Sequence, residues 1–411
     1  MPRKKARSSS SPWPSLPSDV AGEVLLRLPS YADRLCFGAV CRSWRAASAG
    51  HPPRLPSIVF IDGTFGGGFP EGERPFRLPR AAGHHGSSGA WLLFRRHDGG
   101  YSLLDPFSMA AMPPLPSLLS SSAAAAAACD AHNKPFARER EREEYDVVGL
   151  GRRDRLEVGA AEPDPRTLTV RRLVVCSAGL VAAVVGGEGQ RLGKFAVCRP
   201  GAASWSVCVQ DQWRRIKDMV MYQGKLYAVD HNEDLLAVIV VDDDGGAPPA
   251  VTRIRRAIRG AAPSFDPRRR LALHYLVDAG GELLMVRREV GSGRLQAVEE
   301  RFTVFKAEFE SKRWVEVSTL GDDGVALFLG KWGSRAVRAP EEHRKEWTDH
   351  IFFLDDGASD GFWSPPLYAL STYDMRRQTT YRLLPVMSRH GADLFPATWI
   401  FPQQGTRVDA R

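Results

Sequence analysis

From Ser57 onward the chain is cut into short apolar runs by glycine, aspartate, asparagine and proline, and that punctuation favours many strands and tight turns over long helices. The runs that read as strands are Ser57–Asp62, Ala90–Arg95, Tyr101–Leu104, Thr169–Val175, Leu180–Val185 and Phe195–Cys198. They continue through Trp205–Val209, Met219–Met221, Lys225–Val229, Leu235–Val241, Leu271–Val277 and Glu282–Arg287. Phe302–Phe309, Trp314–Val317, Ala326–Leu329, His350–Leu354, Leu367–Ser371 and Thr380–Leu383 complete the series. The 38 glycines and 29 prolines supply turns between them. Short strands at this spacing build a sandwich, a barrel or a propeller.

Weak internal repetition favours the propeller. Phe195-Ala196-Val197-Cys198, a turn and Ser204-Trp205-Ser206-Val207 resemble Phe302-Thr303-Val304-Phe305, a turn and Lys312-Arg313-Trp314-Val315. A strand carrying a Trp, followed by apolar strands around Gly, is what repeated blades produce.

The first fifty residues read differently. Ser18 can cap a helix bearing Val20, Val24, Leu25 and Leu28, and Pro29 stops it. A second helix restarts at Ser30 with Asp33 in its first turn and carries Leu35, Cys36, Phe37, Val40, Cys41 and Trp44. At about 100° per residue those positions sweep roughly 240°, more than one neighbouring helix covers. A segment of about 40 residues rarely stabilises itself. Either the rest of the chain covers the surplus or another protein does.

Leu16-Pro17, Val20, Val24-Leu25, Leu28, Asp33 and the closing Val40-Cys41-Arg42-Ser43-Trp44-Arg45 resemble an F-box over residues 13–50. The resemblance implies docking on a Skp-type adaptor and, through it, a cullin–RING ubiquitin ligase. It assigns Leu16, Pro17, Leu25, Leu28, Val40, Cys41 and Trp44 to the adaptor-facing or supporting apolar surface, with Arg45 as a polar rim contact. For Cys36 and Phe37, packing between the helices is an equal expectation. Gly86–Leu92, Leu103–Phe107, Tyr222–Asp230, Tyr275–Arg288, Leu320–Gly330, Ile351–Asp356 and Trp399–Pro402 resemble a plant F-box family with a KIB-like β-propeller. The implied fold class is α+β multidomain: a small N-terminal helical F-box followed by a mostly-β propeller domain. The expected organisation is a basic tail over 1–12, the F-box, a Pro-rich linker over 51–56, the propeller over 57–405 and a tail over 406–411. Ser120–Ser122, Ala123–Ala128 and the run Arg138–Glu144 form an insert near 120–144, either a surface helix or a flexible loop.

Arg3, Lys4, Lys5 and Arg7 supply four of the net +8 charges, as a nuclear-import signal or a solvated end. The remaining charge shows no basic stripe interleaved with aromatics, so nucleic acid is not an expected partner. No membrane partner is expected: the polar N-terminus lacks a secretory core, and Leu173–Val185 is too short to span a bilayer. Six cysteines without Cys-x-x-Cys spacing favour a reducing compartment, the nucleus or the cytoplasm.

Catalytic, cofactor and metal signatures are lacking. Gly66-Gly67-Gly68 has no following Lys-Ser/Thr, and no Gly-x-Ser-x-Gly is present. His84-His85 lacks ligand-spaced neighbours and reads as a surface loop. Asp242-Asp243-Asp244-Gly245-Gly246 has Arg253 where a calcium loop needs its closing Glu, so a hairpin turn is expected. The leading reading is a non-catalytic substrate receptor with an unknown protein target. The alternative is a propeller enzyme or ligand sensor capped by F-box-like helices.

Overall fold

The computed structural model describes residues 16–28, 31–49, 56–66, 75–106, 108–118, 168–187, 191–208, 213–242, 247–260, 269–292, 298–339, 341–354, 368–385 and 397–401. The basic tail, Pro29-Ser30, most of the linker, Gly67-Gly68, the insert near 120–144, Asp243–Gly246 and the C-terminal tail lie outside them.

Three helices open the chain: α1 (Ser18–Leu26), α2 (Tyr31–Val40) and α3 (Arg42–Ala49). Two corrections follow. Ser18 is the first helical residue rather than the cap; Pro17 stands at the N-cap, and its carbonyl accepts from Ala21 N–H at 2.9 Å. The expected second helix is two helices, because Cys41 leaves the helical path. There Cys41 takes over the start of α3: its carbonyl accepts from Arg45 N–H at 3.0 Å and its sulfur from Trp44 N–H at 3.5 Å. Groups orphaned at a helix start are satisfied in this way. The break lets α3 turn back, so that Trp44 stacks on Phe37 with centroids 4.2 Å apart.

The strands are β1 (Ser57–Phe60), β2 (Thr64–Gly66), β3 (Phe76–Arg77), β4 (Gly86–Ser88), β5 (Trp91–Arg95), β6 (Tyr101–Leu104), β7 (Leu168–Ser177) and β8 (Leu180–Gly187). Next come β9 (Lys194–Cys198), β10 (Ser206–Val207), β11 (Ile216–Tyr222), β12 (Lys225–Asp230), β13 (Leu235–Val241), β14 (Ala250–Ile258), β15 (Arg269–Asp278) and β16 (Leu283–Ser292). The last are β17 (Val298–Glu308), β18 (Arg313–Val317), β19 (Val325–Leu329), β20 (Arg335–Arg338), β21 (His350–Leu354), β22 (Tyr368–Asp374), β23 (Thr379–Pro385) and β24 (Ala397–Ile400). Among the described residues they form six sheets: β24-β1-β2-β3, β4-β5-β6, β10-β9-β8-β7, β11-β12-β13-β14, β15-β16-β17-β18 and β20-β19-β21-β22-β23. The strand series read from the sequence lacks β2, β3, β4, β14, β20 and β24. Most of these are two to four residues long. In β14 the run Arg253-Ile254-Arg255-Arg256 hides the alternation.

The chain divides into two compact units, Met1–Phe94 with Leu103–Ala111 and Thr319–Arg411, and Arg95–Ser102 with Met112–Ser318. In the first, β24 pairs antiparallel with β1 from Ser57↔Ile400 to Phe60↔Ala397, so residues near both ends of the β region complete one sheet. Trp399 of β24 is buried, donates its indole N–H to Leu329 O at 2.8 Å, and meets Phe328 edge-on at 5.1 Å. The Ser87 hydroxyl donates to Trp399 O at 2.8 Å. Asp349, fully buried, accepts from Leu320 N–H at 2.6 Å, Thr319 Oγ1 at 2.9 Å and Arg376 Nε at 2.5 Å. His84 is also buried, against the sequence expectation of a surface loop, and lies 3.0 Å from Ala81 O through Nδ1. Burial lowers its pKa, with the Ala81 contact opposing.

In the second unit three four-stranded antiparallel sheets follow one another in sequence. Their first strands meet at Asp218 of β11. Its carboxylate accepts from Arg172 of β7 at 3.0 Å, Leu276 N–H of β15 at 2.8 Å and its own neighbour Met219 N–H at 2.8 Å. One buried side chain thereby ties three sheets. Apolar residues fill the spaces on either side: Val184, Phe195, Leu226 and Val238 between the first two sheets, Leu235, Ile258, Leu276 and Met285 between the last two. The β12–β13 turn is held as firmly. Asp230 accepts from Asn232 and Asp234 N–H at 2.9 and 3.0 Å, and Glu233 sits at φ +64°. A Cβ at Gly260 would lie 1.8 Å from Asn232 O, so only glycine fits against this turn.

Glu233 is where that turn engages the next sheet. Its carboxylate accepts from His274 Nε2 at 2.8 Å and from Arg287 Nε at 2.5 Å, with a second Arg287 bond through Nη2. Its carbonyl accepts the Trp314 indole N–H at 2.8 Å. Burial opposes the charge of Glu233, but the hydrogen bonds from His274 and Arg287 hold its carboxyl below the usual range. Burial pushes His274 down, against the pull of Glu233. Trp205 repeats the tryptophan latch, donating to Pro116 O at 2.8 Å.

Two outcomes test these contacts. Asp218→Ala strands Arg172 and Leu276 N–H, and denaturant unfolding should show a loss of about 3–5 kcal/mol; a loss below about 1 kcal/mol would show that the three strands hold without it. His84 and His274 both have folded pKa values below the unfolded value of about 6.5. The unfolded chain then binds more protons below that pH, so stability is full above pH ~6.5 and falls as acid is added. Denaturation midpoints measured from pH 7.5 to 5 should fall, with a shallower fall in His84→Gln.

Candidate docking surface of the N-terminal helices

The three helices bury a small core of their own. Ala21, Leu25 and Phe37 are its buried members, and Leu16, Leu28, Trp44 and Ala47 pack around them half-buried. Burial along α1 separates two faces. Ala21, Leu25 and Leu28 point inward, whereas Val20 and Val24, one turn apart, are 44% and 38% exposed. At the end of α2, Val40 is 60% exposed. Branched apolar side chains left in water on so small a module are the informative observation, since an ordinary helix would turn them inward.

The residues singled out from the sequence thus fall into three groups. Leu25 lies inside, with Phe37; Leu16, Leu28, Trp44 and Cys41 are half-buried; Pro17, Val40 and Arg45 are exposed. Cys36, for which internal packing was one expectation, is exposed. Phe37 is the only one of that pair to pack inside. The sequence groups Val20 and Val24 with Leu25 and Leu28 as the apolar residues of one helix, and only the packing of α1 around Leu25 and Phe37 shows that the two valines face away from the core.

Polar contacts hold the helices to one another at their ends. Arg34 Nε donates to Leu28 O at 3.1 Å, and Arg45 Nε donates to Gly38 O at 3.2 Å. Arg27 pairs with Glu23 at 2.8 Å on the exposed side of α1. Cys41 Sγ and Ser43 Oγ lie 3.0 Å apart, and that hydrogen bond, helped by Trp44 N–H, lowers the thiol pKa. These contacts orient α3 on α2 without consuming Val20, Val24 or Val40.

Glu233, His274 and Arg287, the densest titratable group, are engaged in holding a turn, and Asp218 and Asp349 in joining strands. Among the described residues no group of three or more His, Cys, Asp or Glu side chains could hold a metal ion, and no helix is long and apolar enough to cross a membrane.

Comparison with known proteins accords with this division of the chain. Residues 13–55 match the F-box domain, and residues 69–381 match the KIB1-4 beta-propeller. The chain is 25% identical over 355 residues to F-box protein SKIP23 of Arabidopsis thaliana, covering 77% of this chain and 78% of that protein. Among solved structures, an oligogalacturonate lyase in complex with manganese covers 83% of this chain and 81% of its own at 11% identity. Its TM-score of 0.33 is too low to bear on fold or chemistry. The six sheets are accordingly those of a β-propeller that follows an N-terminal F-box. With the propeller model spanning most of its length, the chain belongs to the F-box proteins that carry a KIB1-4 β-propeller.

Proposed function

We propose that this protein is the substrate-receptor subunit of a Skp–cullin–F-box ubiquitin ligase. The F-box docks on a Skp-type adaptor and through it a cullin, and the propeller holds a target protein. The observation that carries this reading is the pairing of a self-contained helical core with Val20, Val24 and Val40 left in water. Such side chains add about 1.5–3 kcal/mol each when a partner fully buries them, which favours association over exposure.

The mechanism is proximity. A receptor that binds adaptor and target together converts encounter with the ligase into an intramolecular event, raising the effective concentration of target lysines. The chain itself makes and breaks no bond. Against the alternative of a propeller enzyme or ligand sensor stands the use of the buried charges of both units in structural contacts. Free thiols at all described cysteines suit action in the nucleus or cytoplasm.

Capture on an immobilised Skp-type adaptor tests the reading. The wild-type chain should be retained, and Val40→Asp should weaken retention at least tenfold while leaving the melting transition in place. Leu25→Ala should also lose capture, but by opening a cavity in the helical core at a cost of about 2–5 kcal/mol. Failure of the wild-type chain to bind any Skp-type adaptor would remove the ligase assignment, and full retention of Val40→Asp would move the docking surface elsewhere on the helices.

A further inference from the structure

The receptor reading leaves the target undefined, and one edge of the second unit narrows its chemistry. Each four-stranded sheet has two edges; in the second unit the first strands β7, β11 and β15 meet one another at Asp218, which leaves the fourth strands as the edges whose outer N–H and C=O groups have no ladder partner among the described residues. Proteins keep such edges short or protect them. The fourth strands β3, β10 and β18 obey this, with two, two and five residues. β14 has nine. Among the described residues its backbone hydrogen-bonds only to β13.

The side chains along that edge form a pattern. Arg253 and Arg255, two residues apart on a regularly paired stretch, lie on one face of β14, opposite Ile239 and Ala237 of β13. Both arginines are exposed, and among the described residues neither has an ion-pair partner. On the same face Ile239 and Val241 of β13 are 39% and 40% exposed. The other face of β14 is turned inward, with Val251 and Ile254 against the apolar residues of the preceding sheet and Arg256 paired to Asp234 at 3.3 Å. A nine-residue edge strand, two exposed guanidinium groups and exposed apolar side chains of the adjoining β13 therefore coincide at one edge of the sheet.

Building on the receptor reading, we propose that β14 takes an extended acidic segment of the target protein as an added strand. Backbone ladder bonds would supply affinity in this mode, and side chains at alternate positions would supply selection. An added strand puts every second residue on the arginine face, about 6.6–6.8 Å apart. The segment it selects carries carboxylates two positions apart, opposite Arg253 and Arg255, and its intervening apolar side chains lie on the other face, beside Val251 and Ile254. Opposite-charge cross-strand pairs favour that register, and basic segments are repelled.

Fluorescence anisotropy with the full chain tests this, using a fluorescein-labelled peptide of alternating glutamate and valine as probe. Binding should weaken about tenfold in the Arg253→Glu/Arg255→Glu variant, two cross-strand pairs turning from attractive to repulsive. It should be absent for alternating lysine and valine, and absent for the glutamate–valine peptide with an N-methylated backbone. No binding by the wild type, equal binding by the double variant, or equal binding of the N-methylated peptide would overturn strand addition. Self-association of Arg253→Ala/Arg255→Ala without peptide binding by the wild type would mean that the arginines only guard the edge, and would overturn it too. Adaptor capture from the same preparation separates the two readings. Retained capture without peptide binding removes the acidic-strand proposal alone, and peptide binding without adaptor capture removes the ligase assignment alone.

Discussion

The ladder between β1 and β24 is the constraint on which the first unit depends. Ser57 to Phe60 must find Ala397 to Ile400, and no nearer segment substitutes in that sheet. Contacts of such sequence separation form late, because the loop entropy is spent before the contact stabilises anything. The sheet therefore cannot be finished until the C-terminal strand has been made. Trp399 explains how so short a ladder holds: its ring fills the space beside Phe328 while its N–H satisfies Leu329 O. Burial, aromatic contact and hydrogen bond all reside in one side chain.

The second unit relies on buried charge where the first relies on an aromatic. Three sheets of ordinary apolar strands would slide against each other with little to choose between registers. Asp218 removes that freedom because its oxygens accept from β7 and β15 as well as from β11 itself, and each donor would be left unsatisfied by a slip. Glu233 does the same for a turn, clasped by His274, Arg287 and Trp314. Buried titratable groups of this kind can mark catalysis or structure. Here Asp218 accepts from β7, β11 and β15, and Glu233 from β15 and β16, so each carboxylate joins strands or holds a turn.

The helical module shows the opposite economy. Its core is a handful of side chains around Leu25 and Phe37, small enough that an outer apolar face is exposed rather than absorbed. Cys41 is central to that arrangement. By ending α2 and starting α3 it turns Trp44 onto Phe37, and it is the same turn that leaves Val40 in solvent at the end of α2.

Much of this was legible in the sequence, for reasons of period and punctuation. Apolar alternation and turn residues located most strands, and Leu235–Val241 and His350–Leu354 match their observed bounds. The Leu16-Pro17 to Trp44-Arg45 pattern marked the helical module; β13 and β14 pair antiparallel on either side of Asp243–Gly246, which lie outside the described residues. The break at Cys41 escaped notice because a thiol capping a helix carries no propensity signal. β14 escaped because its arginines face solvent at an edge, where alternation between apolar and polar disappears. His84 was misplaced because a histidine pair looks polar until a neighbouring carbonyl is found for it. Local sequence determined which residues would be strands, helices and turns, since those choices depend on periodicity and backbone preference within a few residues. Only the tertiary structure decided that Val20 faces water while Ala21 does not, that Asp218 joins three strands, and that β14 is the edge of its sheet among the described residues. Each of those depends on which distant segment lies alongside, and no local pattern encodes that.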